Sequence, residues 1–170
     1  MELHFADVRS PIGMIRLVAR PDGLICAVDF KDDWDASRRR LEKRFGKFVP
    51  KKDRPLFGHV ARLKSYLAGD VRALDRLKVD PGGSPFQRKV WTALRRVPAG
   101  RTISYGTLAK RIGAPGAARA VGAANRTNPI PLIIPCHRVI GADGSLTGYA
   151  GGIRRKKWLL LHEGAQFSVR

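Results

Sequence analysis

Cys136 and the two residues that follow it, His137 and Arg138, are the strongest candidates for chemistry in this sequence. An ionised thiol is a good nucleophile, and a nearby imidazole or guanidinium favours the ionised form. Adjacent residues on an extended strand point to opposite faces, so their order does not establish a hydrogen bond between Cys136 and His137. The pattern predicts a cysteine nucleophile, and a buried structural cysteine beside an incidental histidine is the alternative.

Three prolines surround this cysteine, at positions 129, 131 and 135. Proline disfavours helix and restricts the residue before it, so the segment is expected to follow an extended, rigid path that fixes the position of the thiol. The other cysteine, Cys26, lies in the apolar run 24–28, where a small buried hydrophobic residue is expected. A disulfide is not expected in a cytosolic chain with no further cysteines.

The net charge of +19, from 33 lysines and arginines against 14 aspartates and glutamates, indicates a polyanionic partner. Residues 1–80 contain 18 basic and 12 acidic residues, an excess that a generally basic proteome could also explain. Residues 81–170 contain 15 basic residues and only two acidic ones, Asp143 and Glu163. The second half is therefore the candidate nucleic-acid-binding part.

Several classes of protein are not expected. No apolar run approaches the ~18 residues that a membrane-spanning helix needs, so no membrane partner is predicted. The segment Met1–Phe5 lacks the features of a secretory signal, which makes the cytoplasm the expected location. Cys26 and the scattered His4 and His59 do not have metal-ligand spacing, so neither a metal nor another cofactor is predicted.

Apolar stretches separated by turn residues predict a three-stranded antiparallel meander over the first thirty residues. Trp34, Leu41 and Phe45 then suit a helix that ends at Gly46, and Pro55 is expected to begin a second helix. Helix breakers at 79–83 coincide with the change in charge balance. The chain is therefore predicted to be an α+β protein with domains at 1–80 and 81–170.

The second domain is predicted to be winged-helix-like. Ser84 and Ser104 are each expected to cap a helix, and a third helix is expected over 117–125. The last two helices, joined by a turn containing glycine, are typical of a helix-turn-helix. Alanine and glycine leave the third helix slim beside Arg119, so it can approach either a protein neighbour or the walls of a DNA groove. The wing is predicted as a hairpin from 139–140 to 146–147, turning at 143–144.

The motif Pro135-Cys136-His137-Arg138-Val139 resembles the active-site motif of the O6-alkylguanine-DNA alkyltransferases. The resemblance extends, in order, over residues 84–164 and includes Pro85-Phe86-Gln87, Val90-Trp91, Ile103-Ser104-Tyr105, 117–122, Asn128-Pro129, Tyr149, 151–152 and 158–164. The first domain resembles the family only in its strand-helix layout, which implies an α/β, ribonuclease-H-like domain.

This resemblance implies direct-reversal DNA repair in a single turnover. Cys136 is expected to attack the alkyl carbon on guanine O6 and to keep the alkyl group as a stable thioether. His137 is expected to take the thiol proton through a water, with Glu163 orienting the imidazole. By the same resemblance, Asn128 ties the recognition helix to the active-site loop and Tyr105 donates to the purine. Activity on O4-alkylthymine stays open.

The resemblance also implies a base pocket and a DNA surface. The carbonyls of Cys136 and Val139 are expected to accept from the guanine amine, in a pocket that also includes Pro131, Tyr149 and Ala150, the last at a position where many relatives have Ser. Arg119 is expected to replace the flipped base in the stack. The implied partner is double-stranded DNA, bound by a monomer through the minor groove without sequence preference. Further DNA contacts are assigned to Tyr105, Asn125, Arg126 and Arg138.

Two other functions are compatible with parts of the sequence. A non-catalytic lesion sensor or DNA-binding regulator would explain the charge, although the sensors in this family lack the nucleophile that Cys136 supplies. A cysteine hydrolase would use Cys136 and His137 with turnover, but it gives no reason for Arg119 or for the uneven charge.

Overall fold

The apolar alternation in the first thirty residues forms a sheet in the computed structural model, which describes residues 1–168. The sheet has four strands: β1 (Glu2–Ser10), β2 (Gly13–Ala19), β3 (Ile25–Phe30) and β4 (Val49–Lys52). The strand order is β3-β2-β1-β4, with the predicted antiparallel meander and a fourth strand parallel to β1. The sequence did not reveal β4 because this edge strand is fully exposed and contains Pro50 and two lysines, so it has no apolar alternation.

Two helices accompany this sheet, α1 (Trp34–Phe45) and α2 (His59–Leu67). Helix α1 ends at Gly46, as predicted, because glycine adopts the positive φ of +78° found there. Helix α2 begins four residues after Pro55 rather than at it, since Leu56 and Phe57 have positive φ angles that no α-helix accommodates. Cys26 is buried in the core between the sheet and α1, as predicted, and burial raises its pKa to about 12.

The chain divides into two compact units, Met1–Pro81 and a second that begins at Gly82. The second unit is mainly helical, with α3 (Pro85–Leu94), α4 (Tyr105–Arg111), α5 (Ala118–Arg126) and α6 (Ile153–His162). A short parallel pair accompanies them, β5 (Ile103–Ser104) and β6 (Val139–Ile140). In the part of the chain that the structure covers, no helix combines the length and apolar character needed to cross a membrane.

Both predicted helix caps are confirmed. The Ser84 hydroxyl accepts a hydrogen bond from the Gln87 amide, and the Gln87 side chain accepts one from the Ser84 amide, which completes a capping box. The Ser104 hydroxyl accepts from the amide of Thr107 at the start of α4. Helix α5 packs against α3 and α4, and the Trp91 indole donates to the Ala124 carbonyl at 2.8 Å. These contacts fix the helix that carries Arg119.

Two predictions about the second unit are wrong. The expected wing hairpin does not form: β6 pairs in parallel with β5, and residues 146–147 are not a strand. A turn is present at Asp143-Gly144, where the Gly141 amide donates a hydrogen bond to the Ser145 carbonyl. The residues after this turn have no regular secondary structure up to 149. The segment before β6 is not extended throughout either, because residues 131–133 are turns and Cys136–Arg138 form a 3-10 turn.

Substituting alanine for Gly83 should destabilise the protein more than the same change at Gly113. Both glycines have positive φ, +85° at Gly83 and +73° at Gly113. A Cβ added at Gly83 would lie 2.6 Å from the Trp91 ring, whereas a Cβ added at Gly113 would have no described atom within 4 Å apart from its chain neighbours. Overpacking of this kind costs roughly 1–3 kcal/mol beyond the backbone strain that both variants share. Urea denaturation of the two variants measures the difference, and equal losses would contradict the contact with Trp91.

Candidate active site

Cys136 begins a single 3-10 turn, Cys136–Arg138, between Pro135 and β6. Its amide donates to the Ile134 carbonyl at 2.8 Å, and the residue is only 4% exposed. Successive residues in a 3-10 turn are ~120° apart, so Cys136 and His137 are not on opposite faces as they would be on a strand. The turn therefore presents a thiol, an imidazole and a guanidinium from three consecutive residues.

Asn128 fixes the loop that leads to this turn. Its side-chain amide donates to the Ile134 carbonyl at 2.7 Å, and its side-chain oxygen accepts from the Ile130 amide at 2.9 Å. Asn128 follows α5 after one residue, so these two bonds connect the end of that helix to the segment that carries Cys136.

The thiol of Cys136 is neutral at physiological pH. Burial raises its pKa to about 11, and the hydrogen bond from Asn128 and the positive charge of Lys156 only partly oppose this. The expectation that the neighbouring guanidinium favours the thiolate is wrong, because Arg138 is paired with a carboxylate elsewhere. An attack by this sulfur would therefore require the loss of its proton.

Glu163 joins His137 and Arg138 in the interior. His137 Nε2 donates to Glu163 Oε1 at 2.9 Å, and Arg138 donates to both carboxylate oxygens at 3.0 and 2.8 Å. The side chains of all three are at most 5% exposed. Burial acts to raise the pKa of Glu163, but the hydrogen bonds and charges of its partners outweigh burial and hold the pKa far below its usual range. Glu163 is therefore ionised.

His137 is a neutral imidazole. Burial is the main cause that lowers its pKa and opposes the charge and hydrogen bond of Glu163, and the positive charges of Arg138 and Lys156 lower the pKa further. Since a carboxylate can only accept, Nε2 carries the proton and Nδ1 has a free lone pair. Nδ1 is buried and, among residues 1–168, has no hydrogen-bond partner. A buried base is thus available beside a buried thiol.

Two residues assigned to DNA contact are in the interior instead. Arg138 is 4% exposed, and besides Glu163 it donates to the Val97 carbonyl at 2.6 Å. Asn125 is 5% exposed and its amide donates to the Cys136 carbonyl at 3.4 Å. Both assignments are wrong for the same reason: a polar group inside the protein requires a partner, and these side chains supply partners to Glu163 and to the reactive segment.

The remaining predicted residues lie nearer the surface of the second unit. Arg119 and Arg126 are exposed on α5, where Ala120 and Ala123 are also exposed, while Gly122 faces inward. The small residues of α5 therefore lie both on the side that packs against the protein and on the side exposed to solvent. In the predicted base pocket, Tyr105, Pro131 and Tyr149 are half-buried, Ala150 is exposed and Val139 is fully buried.

Two residues near the site were not found from the sequence. Lys156 is completely buried and donates to the carbonyls of Val139 at 2.5 Å and Thr147 at 3.3 Å, and burial lowers its pKa to about 8. The Thr147 hydroxyl is 2.9 Å from the Tyr105 hydroxyl. A signal for Lys156 existed, since it precedes Leu159 and Leu160 at the i, i+3 and i+4 spacing of one buried helix face.

Comparison with known proteins decides the family. Residues 85–165 match the family model of the 6-O-methylguanine DNA methyltransferase, DNA binding domain. A methylated-DNA–protein-cysteine methyltransferase of Mycolicibacterium paratuberculosis is 44% identical over 161 residues, which are 95% of this chain and 92% of that relative. The chain belongs to the methylated-DNA–protein-cysteine methyltransferase family. The buried Cys136, His137 and Glu163 described above lie in the part that the family model matches.

Other members of the methyltransferase family agree with this assignment. The relative from Salmonella typhimurium is 59% identical over 103 residues, which cover 61% of this chain but only 60% of that relative's length. A crystal structure of Mycobacterium tuberculosis OGT in complex with DNA superposes with a TM-score of 0.77 at 41% identity, covering 96% of this chain and 93% of the other. The structural likeness therefore includes the first unit, where the sequence indicated only a similar layout.

Replacing Glu163 with glutamine should destabilise the fold strongly. The change leaves the buried guanidinium of Arg138 without a compensating charge, and breaking a buried pair in this way costs about 3–5 kcal/mol. The matched control is Asp143→Asn, which alters the only other acid after residue 80 at an exposed turn and should change little. Chemical denaturation measures both variants, and a loss at Glu163 no larger than at Asp143 would contradict the buried ion pair.

Proposed function

We propose that this protein repairs DNA by transferring an alkyl group from O6 of guanine to the sulfur of Cys136. The observation that carries the proposal is the turn Cys136–Arg138, where a neutral thiol adjoins an imidazole whose Nδ1 is buried and unpartnered among the described residues. Family membership supplies the substrate class, and the excess of basic residues after position 80 supports a nucleic-acid partner.

In the proposed mechanism, the proton of Cys136 moves to His137 Nδ1 through a water as the sulfur attacks. Glu163 accepts from Nε2 and stabilises the imidazolium that forms, while Arg138 keeps the carboxylate in place. The new bond joins sulfur to the alkyl carbon, and the bond from that carbon to O6 breaks with its electron pair on the purine. A hydrogen bond from the Tyr105 hydroxyl lowers the basicity of the leaving purine. The thioether does not hydrolyse, so each molecule reacts once.

The base pocket is proposed to select guanine through backbone carbonyls. The Cys136 carbonyl accepts from Asn125, and the Val139 carbonyl accepts from Lys156. The Val139 carbonyl oxygen has two lone pairs, so it can also accept from the guanine amine, whereas the Cys136 carbonyl already accepts from the Val139 amide as well as from Asn125. We assign the pocket walls to Pro131, Tyr149 and Ala150. Lys156 thus acts as a positioning residue for the Val139 acceptor, and Asn125 holds the Cys136 carbonyl in place.

DNA binding is proposed to occur through α5 in the minor groove. The damaged base must leave the stack, at a cost of about a few kcal/mol. Arg119 is exposed on α5 beside the small side chain of Ala120, which allows close approach to the groove while the guanidinium fills the vacated space. Arg126 is assigned to phosphate contact. We also assign the protein to the cytoplasm, where two unpaired thiols stay reduced.

Incubation with an oligonucleotide duplex carrying O6-methylguanine should add one methyl group per protein molecule. The intact mass measures this gain, and peptide mapping should locate it on Cys136. The control variant Cys136→Ala should gain no mass and still bind the duplex, because its DNA-binding surface is unchanged. A protein that binds without gaining mass would support the lesion sensor, and continued release of product would support the hydrolase.

Replacing Arg119 with alanine should slow repair in a duplex by roughly tenfold or more, because the cost of base rotation is no longer offset. Transfer from free O6-methylguanine base should stay unchanged, since that substrate needs no rotation. The matched control is Arg9→Ala, which removes one exposed positive charge from the first unit. Rates from single-turnover assays compare the variants, and equal slowing on both substrates would count against the role of Arg119.

A further inference from the structure

A cleft of about 590 Å³ lies between α3 and the end of α4, and it carries an unusual concentration of positive charge. Four basic residues line this α3–α4 cleft: Arg88, Lys89, Arg96 and Arg111. All four are exposed, and Thr92 adds a hydroxyl group between them. None of these residues belongs to the site described above.

Among the described residues 82–168, the two acidic side chains are engaged away from this cleft. Asp143 and Glu163 are the only acidic residues of the second unit. Asp143 accepts from the Ser145 amide and hydroxyl, and Glu163 is buried with Arg138. Arg88 uses one guanidinium nitrogen on the Gly83 carbonyl and retains its other donors. Four like charges around one cleft repel one another, so an anion bound there would be stabilised.

The arrangement of the cleft fits a chain of phosphates better than a single anion. Arg88, Thr92 and Arg96 are spaced four residues apart, which spreads them over about 12 Å along α3 and the turn that follows it. Guanidinium groups bind phosphate oxygens in a bidentate manner, and a DNA strand presents one charge per ~3.4 Å along the duplex axis. The cleft is thus long enough to contact more than one phosphate.

The cleft also adjoins the helix-turn-helix. Arg111 is the last residue of α4, and Ile112 at the cleft floor precedes the turn that leads into α5. Helix α5 packs on α4 and carries Arg119. We propose that the α3–α4 cleft binds the phosphodiester backbone of the damaged duplex, beside the segment that α5 contacts. This inference rests on the proposed function, because it assigns part of the same DNA partner to a second surface.

The first unit offers a matched control. A smaller cleft of about 330 Å³ is lined by Arg62, Arg72 and Arg76, but two carboxylates, Asp70 and Asp75, line it as well. Its arginines are equally exposed, so the same substitutions change the net charge of the protein by the same amount. A long-range effect of net charge would therefore affect both clefts, whereas a phosphate contact would affect only the α3–α4 cleft.

The test compares Arg96→Gln/Arg111→Gln with Arg62→Gln/Arg76→Gln. Duplex affinity is measured over a range of salt concentrations. The first variant should lower the magnitude of the slope of log affinity against log salt by about 2 and weaken binding by roughly 10- to 100-fold at low salt, as expected for two lost phosphate contacts. The control variant should keep the slope of the unmodified protein. Transfer from free O6-methylguanine base should be equal in all three proteins, which verifies that each is folded.

Each other outcome has a distinct meaning. An unchanged slope with normal transfer from the free base would overturn the cleft assignment and leave the repair function intact, whereas no transfer in the unmodified protein would overturn the repair function itself. Inorganic phosphate is the second probe. If it displaces the duplex more than chloride at equal ionic strength, and this effect is lost in Arg96→Gln/Arg111→Gln, phosphate and duplex compete for the cleft and the backbone assignment is supported. An equal effect in both proteins would contradict that assignment.

Discussion

The carboxylate of Glu163 is the group on which the reactive part of this protein depends. It is buried, and it receives three hydrogen bonds, one from His137 and two from Arg138. An isolated carboxylate in this environment would not remain charged. The guanidinium of Arg138 provides the compensating charge, and this leaves the imidazole of His137 neutral, with Nε2 protonated and Nδ1 able to act as a base. One ion pair therefore sets both the position and the protonation state of His137, the residue beside the proposed nucleophile.

The same low-dielectric interior determines the state of the sulfur. Burial keeps the Cys136 thiol protonated, and the positive charge of the buried Lys156 only partly opposes this effect on its pKa. A neutral thiol and a neutral base cost less to bury than the thiolate–imidazolium pair that the proposed reaction creates. In that proposal, charge is separated only when the substrate is present. The exposed positive charge lies elsewhere in the second unit, on α5 and around the α3–α4 cleft, where water solvates it.

Local sequence was sufficient for most elements. Ser84 and Ser104 begin helices because a capping hydroxyl satisfies a free amide whatever the rest of the chain does, and Gly46 ends α1 because of its own φ angle. Elements that depend on distant partners were not predictable. Strand β4 forms because its backbone hydrogen-bonds to the edge strand β1. Strand β6 pairs with β5, which lies thirty-six residues earlier in the chain, and does not form a hairpin with the residues that follow it. The start of α2 was displaced by positive φ angles at Leu56 and Phe57, which side-chain patterns do not reveal.

By itself, the sequence determined where the caps of the helices in the second half lie, and it predicted a cysteine nucleophile and a polyanionic partner, because these inferences need only residue type and short-range spacing. Only the tertiary structure decided which charges face inward. Arg138 and Asn125 look like surface residues in the sequence, and Lys156 looks like one more lysine in a basic helix. Their burial results from packing between segments far apart in the chain, and it converts apparent DNA contacts into supports for Glu163 and for the carbonyls of Cys136 and Val139. The ionisation of the thiol was decided in the same way, since desolvation depends on the surrounding fold and not on the neighbouring residues in the chain.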